Sequence, residues 1–394
     1  MNSIKTDLQF LCGELEDRQA QTDEEKRAAQ HVADRLAGAV DNVRRVDFDS
    51  VGNYRMMFAA YCGEFIVINL LALWWPTVAF FYGIVIFLAY MAEFLGYAVF
   101  SRFLPHFESS SAVGLSEAHD AACVLIFTAY LETDDNPFSR VEASLARYYL
   151  HYLIILGMVF VLTTCGIDTL GTFTDTVNPY TPWMRWVGIG LFSVLSIIGI
   201  VRMVAVRQNR GANNNASGVA GLLHIAERLR EFPIENTTVL FYAAGSHYAN
   251  MTGMRTMLTE NPGMAENTYL INIESIGSGK LYYSIAEGML HPISCDPALV
   301  AAARTLRNKY QANHIVVNNR RTNAYLPLMR GIPAISVMRL DETELPAYFG
   351  VDQDLCENVD SQAIKEAAEF AEAIGRETAK KHRAIPGIET TLEH

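Results

Sequence analysis

The chain has 394 residues, too many for one small domain, with 51% hydrophobic residues and a formal net charge of −12. That charge excludes a nucleic-acid partner, which requires a basic footprint. The apolar content is concentrated in 56–100, 148–167 and 183–206, and the remainder reads as ordinary soluble α/β sequence.

Residues 3–40 carry helical periodicity (Leu8, Leu11, Leu15, then Ala28, Val32, Leu36), and a short strand is expected near Val46–Phe48. The polar, charged start (Lys5, Asp7, Glu14, Asp17) argues against a cleavable signal peptide. Met56–Trp75 then holds one charge, Glu64, and Thr77–Phe100 one, Glu93. Each run is long enough to cross a hydrocarbon core of ~30 Å at ~1.5 Å per residue. Trp74, Trp75 and Pro76 lie between them: the tryptophans suit an interface and the proline breaks the helix, so a transmembrane hairpin is expected. Soluble character returns at Pro105–Arg147, with an apolar strand at Ala121–Ala129. A third span is expected at Tyr148–Ile167, with His151 as an interfacial polar tip. The fourth and weakest is Trp186–Val201, between Arg185 and Arg202, which can snorkel to the interfaces. From Arg210 onward helix and strand alternate: helix Ala216–Leu229, strand Thr238–Ala243, helix near Gly253–Leu258, strand Tyr269–Ile273, helix Pro297–Lys309, strand Ile332–Val337 and helix Ser361–His382. The pattern implies a mixed, mostly parallel, doubly wound α/β sheet interrupted by two helical hairpins. The expected pieces are a domain in three parts (1–54, 104–147, 207–385), hairpins at 55–103 and 148–206, and a tail, 386–394, whose Leu392-Glu393-His394 reads as a tag remnant. The six cysteines have no paired spacing, so the expectation is neither a disulfide framework nor a zinc knuckle, in a reducing compartment.

Five blocks in order resemble the co-catalytic zinc aminopeptidase family, whose relatives include glutamate carboxypeptidase, transferrin receptor and nicastrin. The family's Ala-His-x-Asp-Thr stands here as Ala129-Tyr130-Leu131-Glu132-Thr133. Its Gly-Ala-x-Asp-Asn-Ala-Ser-Gly is similar to Gly211-Ala212-Asn213-Asn214-Asn215-Ala216-Ser217-Gly218, with Asn214 in place of the bridging aspartate. Gly-Glu-Glu, general base and then zinc ligand, becomes Gly245-Ser246-His247. Ile-Asn-Leu-Asp-x-Ile-Gly becomes Ile271-Asn272-Ile273-Glu274-Ser275-Ile276-Gly277. Ser-Asp-His before Gly-Ile-Pro becomes Thr322-Asn323-Ala324 before Gly331-Ile332-Pro333, and the last zinc histidine aligns with Gly350, four residues before Asp354. The resemblance covers 1–54 and 107–385 and implies the zinc-aminopeptidase fold. It also implies that all five ligand positions and the base have changed. Two dications need anionic carboxylates and imidazoles; Asn214 is neutral, Tyr130 ordinarily titrates near ~10, Gly350 has no side chain and Ser246 is no base for a metal-bound water. No cofactor is therefore expected. His247 and Glu274 are left as weak candidates for a single metal, against the plainer reading of polar residues hydrogen-bonded in an old pocket. Ser246 and His247 are neighbours on a strand and point to opposite sides, so they are not a nucleophile and base. Asn215, Asn236 and Asn250 in Asn-x-Ser/Thr contexts are taken as chance matches.

The function expected is a membrane-embedded pseudopeptidase that binds a peptide, small molecule or partner protein, with the bilayer as a second partner. The alternatives are an active metallo-aminopeptidase using zinc at a degenerate site, and a transport or proton-linked role for the spans. Arg55, Arg102, Arg140, Arg147, Arg202, Arg207 and Arg210 flank the spans on the domain side and only Arg185 on the other, which puts the domain and both termini in the cytosol. Glu64 lies nine residues past Arg55 and Glu93 nine before Arg102, so both are expected roughly 13 Å inside the same face, sharing one proton. The old pocket (Tyr130, Glu132, Asn214, Ser246, His247, Glu274, Asn323, Gly350) is expected to face the bilayer. In that scheme the strand around Ala112–Gly114 pairs antiparallel with Ala121–Ala129.

Overall fold

The computed structural model describes residues 2–15, 17–52, 54–147, 150–261 and 267–382; the side chains of Arg147, Leu150 and His151 lie outside the described set, as do Tyr148 and the tail. The elements in order are α1 (Asn2–Leu8), α2 (Asp23–Ala37), β1 (Asn42–Val51), α3 (Arg55–Leu71), α4 (Pro76–Phe94), β2 (His106–Ser116), β3 (Cys123–Tyr130), α5 (Ser139–Arg147), α6 (Leu150–Thr174) and α7 (Thr181–Val204). There follow α8 (Ser217–Glu231), β4 (Thr237–Ala244), α9 (Thr252–Glu260), β5 (Thr268–Ile273), β6 (Lys280–Glu287), β7 (Ile293–Ser294), α10 (Pro297–Tyr310), β8 (Asn313–Val317), α11 (Tyr325–Met329), β9 (Ala334–Leu340) and α12 (Ser361–Lys380).

The strands form one mixed sheet in the order β1-β2-β4-β3-β5-β9-β6, with β7 and β8 on β6. Its centre, β4-β3-β5-β9, is parallel, and its strands are apolar on both faces because helices cover both. On one face α1, α2, α8, α10 and α12 bury Leu36, Leu222, Ile273, Phe370 and Ile374 among others. The smaller layer on the other face is built around Tyr242, Met254, Leu270 and Leu326. β2 pairs with β1 and β4, not with β3 as expected. The direction is nonetheless the expected one. Ala112 is opposite Ala243 and Ser116 opposite Val239, so β2 begins at the carboxyl ends of the parallel strands.

Among the described residues three helices are long and apolar enough to cross a membrane: α4, α6 from Tyr152, and α7. The segment expected to be the weakest span, α7, has the highest mean hydropathy of the three, and its helix of 24 residues extends five residues before and three beyond the expected run. The first expected span is a helix of 17 residues, α3, one of the four in the bundle but too short for that criterion. α3 packs on α4 and α7, α4 on α6, and α6 on α7. The bundle buries Tyr61, Phe65, Ile68, Met158 and Phe192, while Val67, Phe81, Val85, Leu156 and Ile197 point outward, more than half exposed except Val67 at 50%. Close helix crossings use small residues: a Cβ on Gly83 would lie 2.6 Å from Leu162, and one on Gly199 2.9 Å from Ala59.

Two expectations fail here. Glu64 and Glu93 do not share an environment. Glu64 accepts a hydrogen bond from the Tyr82 hydroxyl (2.7 Å), whereas the buried Glu93 sits in the last turn of α4. The depth reckoning fails because α4 ends at Phe94, so the residues to Arg102 do not continue up a helix. Cys12 and Cys356 form a disulfide across 344 residues of sequence, with Cα atoms 6.0 Å apart, a pairing that spacing could not reveal. Several flanking arginines are engaged with the domain: Arg55 with Asp135, and Arg202 with Glu142 at 2.6 Å.

Candidate functional site

The old pocket lies at the carboxyl ends of β3, β4 and β5, where open α/β sheets bind ligands. β3 ends at Tyr130, whose ring stacks on that of His247 with centroids 4.2 Å apart and planes 13° apart. The Tyr130 hydroxyl lies 2.9 Å from Asn214 Oδ1 and 3.0 Å from the Asn214 carbonyl. The other half of the Asn214 amide donates to the Tyr248 hydroxyl at 2.8 Å. His247 Nδ1 is 2.8 Å from Asn323 Oδ1. Tyr130, Asn214, His247 and Asn323 therefore form one stacked and hydrogen-bonded group, joined by Tyr248.

Burial sets the protonation of these groups. It pushes the Tyr130 hydroxyl well above its ordinary range and His247 down to about 4, so both are neutral near pH 7. Glu274 is buried; burial raises its pKa, and Arg320 opposes that rise from 3.3 Å. Its second oxygen accepts from Asn272 Nδ2 at 3.0 Å. Glu132 does not turn toward Asn214 but accepts from the Tyr248 backbone N–H (3.0 Å).

Ser246 is the site residue that points elsewhere. Its backbone is left-handed (φ +50°), its hydroxyl donates to Ser109 (2.8 Å), and its N–H donates to Glu25 (2.8 Å). Gly350 is also left-handed (φ +62°), and a Cβ there would lie 2.9 Å from the Arg140 backbone nitrogen. Asp354, which the sequence placed in the last block, accepts from the backbone N–H groups of Asn213 (2.6 Å) and Asn214 (3.3 Å), and burial lifts its pKa to about 7.

Sequence reasoning missed Glu25. Thr22 and Glu25 have the spacing of a helix capping box: the Thr22 hydroxyl accepts from Glu25 N–H (3.2 Å) and Glu25 accepts from Gln21 N–H (2.7 Å). Nothing local signals that the other carboxylate oxygen reaches Ser246, 221 residues away. Burial pushes Glu25 up to about 7, and its charge raises the neighbouring Glu132 further. The loop Gly245–Met251 that carries His247 and Tyr248 has three left-handed non-glycine residues, Ser246, Asn250 and Met251. Such backbone is sparsely populated and must be held. Three carboxylates hold it: Glu25 at Ser246, Glu132 at Tyr248, and Glu93 of α4 at the Asn250 side chain (3.2 Å).

The residues present do not fit two zinc ions. Among the described residues no three His, Cys, Asp or Glu side chains converge. The polar atoms at the ligand positions are turned on one another, and the Arg320 cation stands where the Glu274 carboxylate would meet a metal. Tyr130, Asn214 and Asn323 offer neutral oxygens and amide nitrogens, not the anionic set that two dications need. A cleft of about 630 Å³ lies elsewhere, between Gln9, Gly13, Arg210, Leu355 and the Cys12–Cys356 disulfide.

Residues 188–374 match the model of peptidase family M28. The fold is similar to that of a zinc aminopeptidase from Bacillus subtilis, at 12% identity and a TM-score of 0.58 over 97% of this chain and 96% of that one. It is also similar to a Zn-dependent exopeptidase from Parabacteroides distasonis (13%, 0.52, 95% and 97%). A third similar structure is a Bacteroides thetaiotaomicron glutaminyl cyclase bound to N-acetylhistamine (11%, 0.53, 95% and 97%). Comparison with curated proteins by sequence gives no match. The matched residues contain four of the five sequence blocks, all but Ala129–Thr133.

Proposed function

Starting from a chain of the co-catalytic zinc aminopeptidase type, we propose a membrane-embedded pseudopeptidase whose former active site binds and does not hydrolyse. The observation that carries this reading is the Asn214 amide. It stands at the bridging position, and both its ends are engaged, by the Tyr130 and Tyr248 hydroxyls. A neutral amide cannot screen two dications, and Ser246, at the base position, faces Ser109. Neither the electrophile nor the base of metallopeptide hydrolysis has a residue to supply it.

Three helices of spanning length and the outward apolar faces of the bundle support membrane insertion. In this reading α3 is the fourth span, completing a hairpin with α4, and the arginine bias puts the domain in the cytosol. Contacts of the Gly245–Met251 loop with the end of α4 support a pocket turned toward the bilayer, suited to small or membrane-delivered ligands. The test is elemental analysis of the full chain purified in detergent without added metal, with an aminoacyl-substrate assay alongside. The expected result is substoichiometric zinc and no turnover. About two zinc ions per chain, as a co-catalytic site requires, would overturn the proposal in favour of an active membrane aminopeptidase.

A further inference from the structure

Where hairpin one joins the domain, the end of α4 meets Arg321, with Arg255 and Arg330 of the neighbouring α9 and α11 acting on the same charges. Arg321 lies in the segment before α11. It donates from Nη1 to Asn250 Oδ1 (3.2 Å) and from Nη2 to the Phe94 carbonyl (2.6 Å), with its guanidinium over the Phe94 ring at 5.3 Å. Arg255 of α9 donates from Nη2 to the Asn250 carbonyl (2.8 Å). Two guanidinium groups are therefore held on one asparagine. Arg330, exposed at the end of α11, adds a third charge, for the groups acting on the Arg255 charge include Tyr54, Glu93, Arg321 and Arg330. Of these only Glu93 is a carboxylate, and it is already committed to the backbone N–H groups of Val99, Phe100 and Ser101 and to Asn250. Arg255 Nε is buried and has no hydrogen-bond partner. A buried guanidinium N–H left unpaired is costly, and an anion supplies what is missing.

The position says which anion. Tyr54 precedes α3 and Phe94 ends α4, so the cluster sits at the depth where hairpin one leaves the bilayer in the membrane reading. Tyr97, 60% exposed, follows α4 in the same junction and offers an aromatic face at that level. Basic pockets beside spans at this depth take acidic lipid head groups. We propose that Arg255, Arg321 and Arg330 form a binding site for the phosphate of an anionic phospholipid, seated against the junction of α4 with α9 and α11. The site shares Asn250 with the loop that carries His247 and Tyr248, so an occupied site braces the wall of the former pocket. It rests on the membrane reading above.

The experiment titrates the full chain in neutral detergent with phosphatidylglycerol, with phosphatidylcholine and with inorganic phosphate, counting bound molecules by native mass spectrometry. Phosphatidylglycerol is expected to bind more tightly than phosphatidylcholine. Arg330→Gln should weaken it about fivefold, and Arg255→Gln with Arg330→Gln about 25-fold, from the usual contribution of an arginine near an acidic surface. Arg304→Gln, on exposed α10, should change nothing. Arg330 makes no contact that folding depends on, so its variant carries the test if Arg255→Gln fails to fold. Equal binding of the two lipids, equal loss in Arg304→Gln, or inorganic phosphate binding as tightly as the lipid overturns the proposal. Extraction by alkaline carbonate separates the premises. A chain released without detergent overturns the membrane reading, whereas an embedded chain without lipid preference overturns the site alone.

Discussion

Truncating Glu93 should loosen both the membrane junction and the former active site. Its carboxylate accepts from three backbone N–H groups, Val99 (2.9 Å), Phe100 (3.0 Å) and Ser101 (3.4 Å), and from Asn250 Nδ2 (3.2 Å), at 2% exposure. Hydrogen bonds to a charged group contribute about 1.5–3 kcal/mol each. Two short bonds and two longer ones would sum to roughly 5 kcal/mol, and water reaching the half-buried Val99 and Phe100 after truncation returns part of it. Glu93→Ala should therefore cost about 3 kcal/mol, or roughly 6–12 °C in midpoint for a domain of this size. Glu93→Gln keeps an acceptor and should lose about a third as much. The assay is thermal unfolding of the detergent-solubilised chain, with near-ultraviolet circular dichroism reporting the Tyr130–His247 stack. That signal should shift in Glu93→Ala, because Asn250 loses its anchor three residues from His247. It should stay fixed in Glu64→Gln, whose only loss is the Tyr82 contact. An unchanged midpoint in Glu93→Ala, or an equal spectral change in both variants, would refute the link between hairpin one and the site.

Three further outcomes are expected. Gly350→His, which restores the family residue, should bind no zinc and cost about 2–3 kcal/mol by thermal unfolding, since the position is left-handed and a Cβ meets the Arg140 backbone at 2.9 Å; a stable, zinc-loaded variant would show that the loop keeps its ancestral shape. Burial raises Glu25 from 4.5 to about 7 in the folded chain, so the folded state holds the extra proton between those values and stability falls as pH rises through that window. The loss is on the order of 3 kcal/mol, and Glu25→Gln should flatten this slope in unfolding midpoints taken from pH 5 to 8. If the domain is cytosolic, a cysteine at the exposed Glu117 should resist an impermeant maleimide in intact cells; its labelling would invert the orientation.

The sheet was largely legible because its central strands are short apolar runs next to recognisable family blocks, as at Thr238–Ala243 and Tyr269–Ile273. The edge was not: β6, β8 and the two-residue β7 alternate weakly, and nothing local marks their partners. Pairing also failed where two neighbours were possible. β2 and β3 are consecutive, which favours pairing them, yet β4 lies between, and this reflects tertiary packing. In the site, Tyr130, Asn214, His247 and Asn323 form one group, but the orientation of the other residues singled out from the blocks was hidden. Ser246 has turned to Ser109 and Glu132 to the Tyr248 backbone, because the carboxylate that holds this loop comes from Glu25, far away in sequence. The intramembrane carboxylates were misjudged for one reason. Counting residues from an arginine assumes a continuous helix, and α4 stops at Phe94.

Both hairpins can be inserted without disturbing the sheet because each leaves and returns at one edge. The last residue of β1, Val51, is paired with the first of β2, His106, so hairpin one replaces the turn of a β-hairpin. Strand ends already side by side suit two helices packed ~8–10 Å apart, and closing the loop costs little more entropy than a long turn would. Hairpin two leaves after Tyr130, by way of α5, and returns before Gly211, where the Asn214 segment opens α8. Ion pairs Arg55–Asp135 and Arg202–Glu142 tie the spans to this edge. The same edge holds the carboxyl ends of the parallel strands, where the family fold places its chemistry. Helices inserted where the chain can best accept them therefore place groups such as Glu93 within hydrogen-bond reach of the loop Gly245–Met251. The loop is therefore braced from the hairpin side by Glu93 through Asn250, and among the described residues no three His, Cys, Asp or Glu side chains converge on it, so its shape is set by carboxylate and amide contacts.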